Sequence, residues 1–344
     1  GKLLIAGVAE ISGFSPGFSF QTIGQKFSDD SYKWLRFLPK LAGAFLPIII
    51  FLIALELGIS QKFSFLAGLL LVFENSLLTQ SRFILLDSFL LLFGFLALLF
   101  YLKSKAQAYN YKLLFLVGAF AALAASVKWT GLSFLAVIII SFILDNFKHF
   151  KYNTRVLYLK FSKTLVLLII FPLIIYFSIF AVHFSLLDKP GPGLAFHQTN
   201  FQEMNVFKKF IGLNIEIYAS NARLTAPHPY SSQWYEWPFM TRSIYYWMDG
   251  QAKIYLLGNP LIYWLSTIAV VYFTINYFKN RRDCSYSLLT AGYWLNLLPF
   301  IFIGRVMFLY HYFTSLIFAI MILAFILDKT EFKHKKTAYY SGFL

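Results

Sequence analysis

Polar positions are sparse along this chain. They leave about nine apolar runs long enough, or nearly so, to cross a bilayer as helices. The runs lie at 37–58, 63–80, 83–102, 112–127, 129–145, 164–184, 259–278, 286–304 and 306–327. The fourth and fifth are short and meet at Lys128-Trp129-Thr130-Gly131, as a tight hairpin or a partly re-entrant pair. Between the sixth and seventh lies a long polar segment, 185–257. It opens on Pro190-Gly191-Pro192-Gly193, which forces turns. Residues 201–219 repeat apolar side chains at Phe207, Phe210, Ile211, Ile215 and Tyr218, a spacing that predicts a helix lying flat on the membrane surface. The run His228 to Pro238, rich in Tyr, Trp and Pro, predicts a fixed, non-helical segment packed at the interface.

Composition agrees with an integral membrane protein. Hydrophobic residues are 59% of the chain and charged residues only 13%, too few for a soluble core of this size. The 41 Phe and 22 Tyr suit lipid-facing helices and interfacial aromatic belts. The net charge of +15 does not indicate nucleic acid, because the basic residues sit mostly in short connectors between apolar runs. A single cysteine, Cys284, excludes an intrachain disulfide and a Cys-based metal site, and the six histidines show no ligand spacing; no metal is expected.

The connectors alternate in charge. Lys62; Lys103, Lys105 and Lys112; Lys148, Lys151, Arg155, Lys160 and Lys163; Lys279, Arg281 and Arg282; and Lys329, Lys333, Lys335 and Lys336 mark one set as cytoplasmic. The opposite set is then outside: residues 1–36, the turns at 79–82 and 128–131, segment 185–257 and the turn at Arg305. The expected layout is one membrane domain over 1–344. It has an outer segment at 1–36, six crossings in 37–184, an outer loop at 185–257, and three crossings with a basic tail in 258–344.

Three charges interrupt the apolar pattern on the outer side: Glu74, Arg82 and Asp87. A charged side chain within a bilayer costs about 3 kcal/mol or more, so each needs a partner or a task. Arg82 and Asp87 are five residues apart and do not share a helix face, so each should address a different neighbour. Asp87 is expected about a turn and a half inside the bilayer.

At these residues the chain resembles the protein O-mannosyltransferases, in their compact bacterial form. The resemblance is carried by Gly1-Lys2-Leu3-Leu4 with Gly13-Phe14; Tyr32 to Arg36 with Leu38 and Gly43-Ala44; Asn75 to Ser88; Val127 to Leu132; Asn221 to Pro238; Leu257 to Pro260; and Arg305 to Tyr312. Thr79 to Asp87 and His228 to Ser232 are the specific strings. The resemblance implies an all-α polytopic GT-C glycosyltransferase. It would move mannose, with inversion, from a polyprenyl-phosphate carrier to Ser or Thr hydroxyls of secreted or membrane proteins at the outer membrane face. It implies no cofactor beyond the lipid-linked donor. The secretion translocon is a further partner, and the membrane is the plasma membrane in a bacterium or the endoplasmic reticulum in a eukaryote. The family's Asp-Glu pair belongs upstream of Gly1, so no catalytic base is expected within this stretch. The chain is read as a fragment inactive by itself. No MIR domain is expected, because 185–257 is too short for one.

The chemistry needs a base for the acceptor hydroxyl, donors for the departing phosphate, and a groove for the isoprenoid. The resemblance assigns Arg36 to the lipid phosphate, a role suited to a permanently charged, forked donor; the alternative is a snorkelling interface arginine. Lys128 and Arg305 are further phosphate candidates, Lys128 alternatively anchoring its turn. Glu74, Arg82 and Asp87 are candidates for structural or site-orienting roles. His228, Trp234, Glu236, Trp237 and His311 are candidates for the acceptor or sugar cleft, with a sugar ring stacking on Trp234 or Trp237. Two alternatives stay open: a related transferase acting on lipid A or a cell-wall polymer, and a lipid or solute transporter.

Overall fold

The computed structural model describes residues 1–15, 30–147, 161–187, 201–280 and 284–341. The Pro190–Gly193 turn, His149, His197, Lys148, Lys151, Arg155, Lys160, Arg281 and Arg282 lie outside the described residues, as do the side chains of Lys279, Lys333, His334, Lys335 and Lys336.

The nine apolar runs are helical over most of their length, with breaks at 73–74, 82–86 and 303–308. In chain order the helices are α1 (Lys2–Ile11), α2 (Tyr32–Glu56), α3 (Gln61–Val72), α4 (Asn75–Ser81), α5 (Asp87–Ala106), α6 (Tyr111–Val127), α7 (Leu132–Phe147), α8 (Phe161–Leu186, with a π-turn at Val166–Ile170), α9 (Val206–Arg223), α10 (Pro260–Asn280), α11 (Cys284–Leu297) and α12 (Phe313–Ser341). Six are long and apolar enough to cross a membrane, and α3 with α4 makes a seventh only as a pair bent by 58°. The expected nine crossings are therefore not reached by that measure among the described residues. Helix α6 has 17 residues and α11 has 14.

The bend between α3 and α4 has a local cause. Glu74 takes an extended backbone, and its carboxylate accepts from the Ser76 amide at 2.9 Å and the Ser76 hydroxyl at 2.6 Å. That satisfies a free N–H of a new helix, so a second helix starts where the apolar run alone predicts continuation. The same carboxylate accepts the Asn259 amide at 3.1 Å, tying the start of α10 to this bend.

Two strands depart from an all-α fold. β1 (Ile244–Asp249) and β2 (Ala252–Leu256) form an antiparallel hairpin before α10. The sequence carries a signal for it in Asp249-Gly250, where Gly250 takes φ +57° at the first loop position.

Helix α12 is the most enclosed span, buried from Leu316 through Ile322 and packed by α3, α10 and α11. Helices α2, α5, α6 and α8 build the other flank, and α8 leaves Leu173 and Ile174 exposed as a lipid-facing surface would. Polar contacts sort to the two ends of the bundle. At one end Lys62 pairs with Glu331 at 2.7 Å, Lys105 with Asp145 at 2.7 Å, and Ser285 donates to the Leu57 carbonyl at 3.1 Å. These are the connectors that charge pattern assigns to one face. The other end holds Glu74, Gln80, Asp87, Lys128 and Arg305.

Candidate functional site

Asp87 is the first residue of α5, preceded by an irregular connection at 82–86. It therefore opens a helix where the apolar run 83–102 alone predicts helix already under way. The helix dipole favours a carboxylate at that position. Its Oδ1 accepts from Lys128 Nζ at 2.6 Å and its Oδ2 from Gln80 Nε2 at 2.8 Å. The side chain of Asp87 is 9% exposed and that of Lys128 35%, so the pair lies half sheltered at the bundle end.

Lys128 is placed by the turn that follows α6. It takes an extended backbone, its carbonyl accepts the Gly131 amide at 2.8 Å, and α7 resumes at Leu132. Gly131 is required here: a Cβ would lie 2.4 Å from the Ala124 carbonyl carbon. Trp129 Nε1 donates to Tyr176 at 3.0 Å, and Tyr176 donates to Asn214 at 2.6 Å. That chain docks α9 onto the Lys128 turn. Helix α9 forms where apolar spacing predicts it, with Phe207, Ile211, Ile215 and Tyr218 exposed.

These elements enclose a cavity of about 820 Å³ between the Lys128 turn, α8, α9 and the 300–314 segment. Lys128, Arg305, Asp87 and His311 line it together with apolar walls that include Leu90, Phe180, Ile217 and Phe300. Among the described residues Arg305 has no ion-pair partner, and Lys128 also stands over the Tyr310 ring at 5.2 Å. Two cations lining a cavity with apolar walls suit a phosphate carrying an aliphatic chain.

A second cavity of about 720 Å³ lies between α2, α3 and α4 and is lined by Arg36, Lys40, Arg82 and Gln80. The two cavities share Asp87, Leu91 and Phe313 as a common wall. Arg36 is thus separated from Lys128 and Arg305, which share the first cavity. Its guanidinium lies over Tyr32 at 4.9 Å and Phe83 at 5.8 Å, and its Nε is buried without a hydrogen-bond partner among the described residues. Asp87 is the one carboxylate lining either cavity among the described residues, and both its oxygens are engaged.

The outer-loop candidates do not gather at these cavities. Trp237 is fully buried; its Nε1 donates to Ser232 at 3.0 Å and its ring stacks on His311 at 5.8 Å. It has no free face for a sugar, which corrects the stacking role given to it. Ser232 in turn donates its amide to the Met307 carbonyl at 2.9 Å. The specific His228-to-Ser232 string and the Arg305-to-Tyr312 string are thus two halves of one packed interface. Glu236 closes its own loop, accepting the Gln233 amide at 2.6 Å and the Thr241 hydroxyl at 3.3 Å. His228 is exposed, edge-on to Phe308 at 5.0 Å, and Trp234 packs half-buried beside Tyr235. Of the five cleft candidates, His311 alone lines the first cavity.

Tyr246 is the residue that pattern reasoning passes over. Its hydroxyl donates to Gln80 Oε1 at 2.5 Å, across 166 positions. Nothing local in the sequence marks such a contact. Among the described residues no cluster of His, Cys, Asp and Glu is placed to hold a metal.

Comparison with known proteins adds to this geometry. The profile of the family described as "Dolichyl-phosphate-mannose-protein mannosyltransferase" matches residues 1–188, and that of the "C-terminal four TMM region of protein-O-mannosyltransferase" matches 206–342. Protein O-mannosyltransferase 1 of Drosophila melanogaster is 34% identical over 215 residues, 59% of this chain and 24% of that protein. Dolichyl-phosphate-mannose–protein mannosyltransferase 1 of Candida albicans is 32% identical over 212 residues, 58% of this chain and 24% of that protein. The matched stretch thus spans about a quarter of these relatives' length. Among solved structures, the S. cerevisiae Pmt1-Pmt2 complex bound to the sugar donor superposes with a TM-score of 0.89 at 17% identity, covering 95% of this chain and 77% of that one. The archaeal oligosaccharyltransferase AglB of Archaeoglobus fulgidus gives 0.50 at 13% identity, covering 98% and 43%. At such identities the likeness is one of fold, the GT-C architecture.

Proposed function

This chain belongs to the protein O-mannosyltransferase family, and we propose that it forms the donor-binding core of an enzyme moving mannose from a polyprenyl phosphate to Ser or Thr hydroxyls of exported polypeptides. The observation that carries this reading is the first cavity. It pairs Lys128 and Arg305 with an apolar wall, the chemistry of a phosphate on an isoprenoid chain.

In this reading the phosphate lies beside Lys128 and Arg305, whose charges stabilise the leaving group as the anomeric bond breaks. The isoprenoid follows the wall made by α8 and α9. Arg36 faces the second cavity, and only the family resemblance links it to the donor phosphate. Asp87 is not the base: its carboxylate is held by Lys128 and Gln80. The base comes from the Asp-Glu pair that the family resemblance places upstream of Gly1. Transfer inverts the anomeric carbon and occurs at the outer face, with residues 1–344 acting as one GT-C unit beside the secretion translocon.

The test uses the full-length gene product in proteoliposomes with radiolabelled polyprenyl-phosphate-mannose. A Ser/Thr-rich secreted peptide should gain label that β-elimination removes, and Lys128→Ala and Arg305→Ala should raise the donor KM. Label appearing on lipid A instead, or sugar-independent lipid flux, would overturn the assignment.

A further inference from the structure

Asp87 has two oxygens and two partners, and the partner on each side decides what the other receives. Lys128 holds Oδ1 at 2.6 Å and Gln80 holds Oδ2 at 2.8 Å. Gln80 is itself buried, so its amide is expected to be satisfied by protein partners. The amide is oriented from both ends. Its NH2 must face the Asp87 carboxylate, because the reverse orientation sets oxygen against oxygen. Its Oε1 takes the Tyr246 hydroxyl at 2.5 Å.

Tyr246 arrives there through a backbone irregularity. In the hairpin Tyr245 pairs with Tyr255 and Trp247 with Ile254, so Tyr246 is the extra, unpaired residue of a β-bulge. A bulge re-aims a side chain that regular pairing would send elsewhere. The Tyr246 ring also meets Phe83 edge-on at 5.2 Å, which seats it over the 82–86 connection leading to Asp87. Burial, and next the charge of Asp87, push its hydroxyl up from the ordinary tyrosine range, which keeps it a donor.

We infer that Gln80 and Tyr246 are positioning residues for donor binding: they hold the Asp87 carboxylate so that it takes one hydrogen of the Lys128 ammonium and leaves the rest for the donor phosphate. Without Gln80, Asp87 is free to turn both oxygens onto Lys128 and compete with phosphate for it. The inference rests on the reading that Lys128 meets the donor phosphate.

The experiment measures donor KM and kcat for the full-length protein in proteoliposomes with polyprenyl-phosphate-mannose. Gln80→Ala should raise donor KM about tenfold, the scale of one hydrogen bond to a charged group, with a much smaller change in kcat. Tyr246→Phe should raise it by less, since the amide keeps its Asp87 contact. In an Asp87→Asn background, Gln80→Ala should add little, because the two changes act on one link. Should Gln80→Ala fail to fold, the near-isosteric Gln80→Met replaces it. An unchanged donor KM in the Gln80 variant, or its full effect persisting in the Asp87→Asn background, overturns the inference. Lys128→Ala separates the two levels. If it leaves donor KM unmoved, the phosphate reading falls and the relay with it. If it raises donor KM while the Gln80 variant does not, the relay alone falls.

Discussion

Lys128 and Asp87 lie 41 positions apart in sequence, yet their charged atoms meet at 2.6 Å, on the wall between two cavities. Each is set at a helix boundary. Lys128 ends α6 in an extended conformation and Asp87 begins α5, so the pair clamps the polar ends of two neighbouring helices.

This clamp should respond asymmetrically to substitution. Lys128→Met leaves the nearly buried Asp87 carboxylate without its counter-charge, at a cost of roughly 3 kcal/mol. Adding Asp87→Asn should recover much of that stability, because the stranded charge is gone, while donor binding stays impaired. Thermal unfolding in detergent and donor KM together check this. Equal stability of the single and double variants would contradict it.

Glu74 should matter for its oxygens more than for its charge. Glu74→Gln keeps an acceptor for the Ser76 amide but sets its NH2 against the Asn259 N–H, and should cost less than full removal of the side chain. Glu74→Ala removes the cap and the acceptor for the Asn259 amide, and should cost about 2 kcal/mol. The melting temperatures of the two variants decide the point.

Trp237→Phe should lower thermal stability while leaving the acceptor KM unchanged, because the indole is buried and bonded to Ser232. A selective rise in acceptor KM without loss of stability would return Trp237 to the cleft.

Tyr246 carries a pH signature. Its hydroxyl is held above the unfolded tyrosine value, so the folded form gives up that proton less readily. The resulting stabilisation is fully present below about pH 10 and is lost as pH rises toward the folded value. Wild-type protein should therefore lose melting temperature above about pH 10 more steeply than Tyr246→Phe. Parallel curves would refute the linkage.

Much of the architecture was legible without coordinates. The apolar runs mark the helices, and the spacing of Phe207, Phe210, Ile211 and Ile215 marks α9. The connector charges mark one set of helix ends, within which Lys62 meets Glu331 and Lys105 meets Asp145. These are properties of neighbours in sequence, where burial against lipid or core imposes a period. The same reasoning ran the apolar stretches at 63–80 and 83–102 too far as helix. Capping by Glu74 and the start of α5 at Asp87 depend on single side chains and not on average hydropathy.

The sequence by itself determined that this chain is a helical membrane protein of the mannosyltransferase family with its polar groups between apolar runs, because helix period, hydropathy and motif order are written locally. Only the tertiary structure decided which polar groups meet. It parted Arg36 from Lys128 and Arg305, hid Trp237 in the packing, and brought Tyr246 to Gln80 across 166 positions. Such pairings follow from how helices and a bulged hairpin dock in space, and a linear pattern carries no record of that distance.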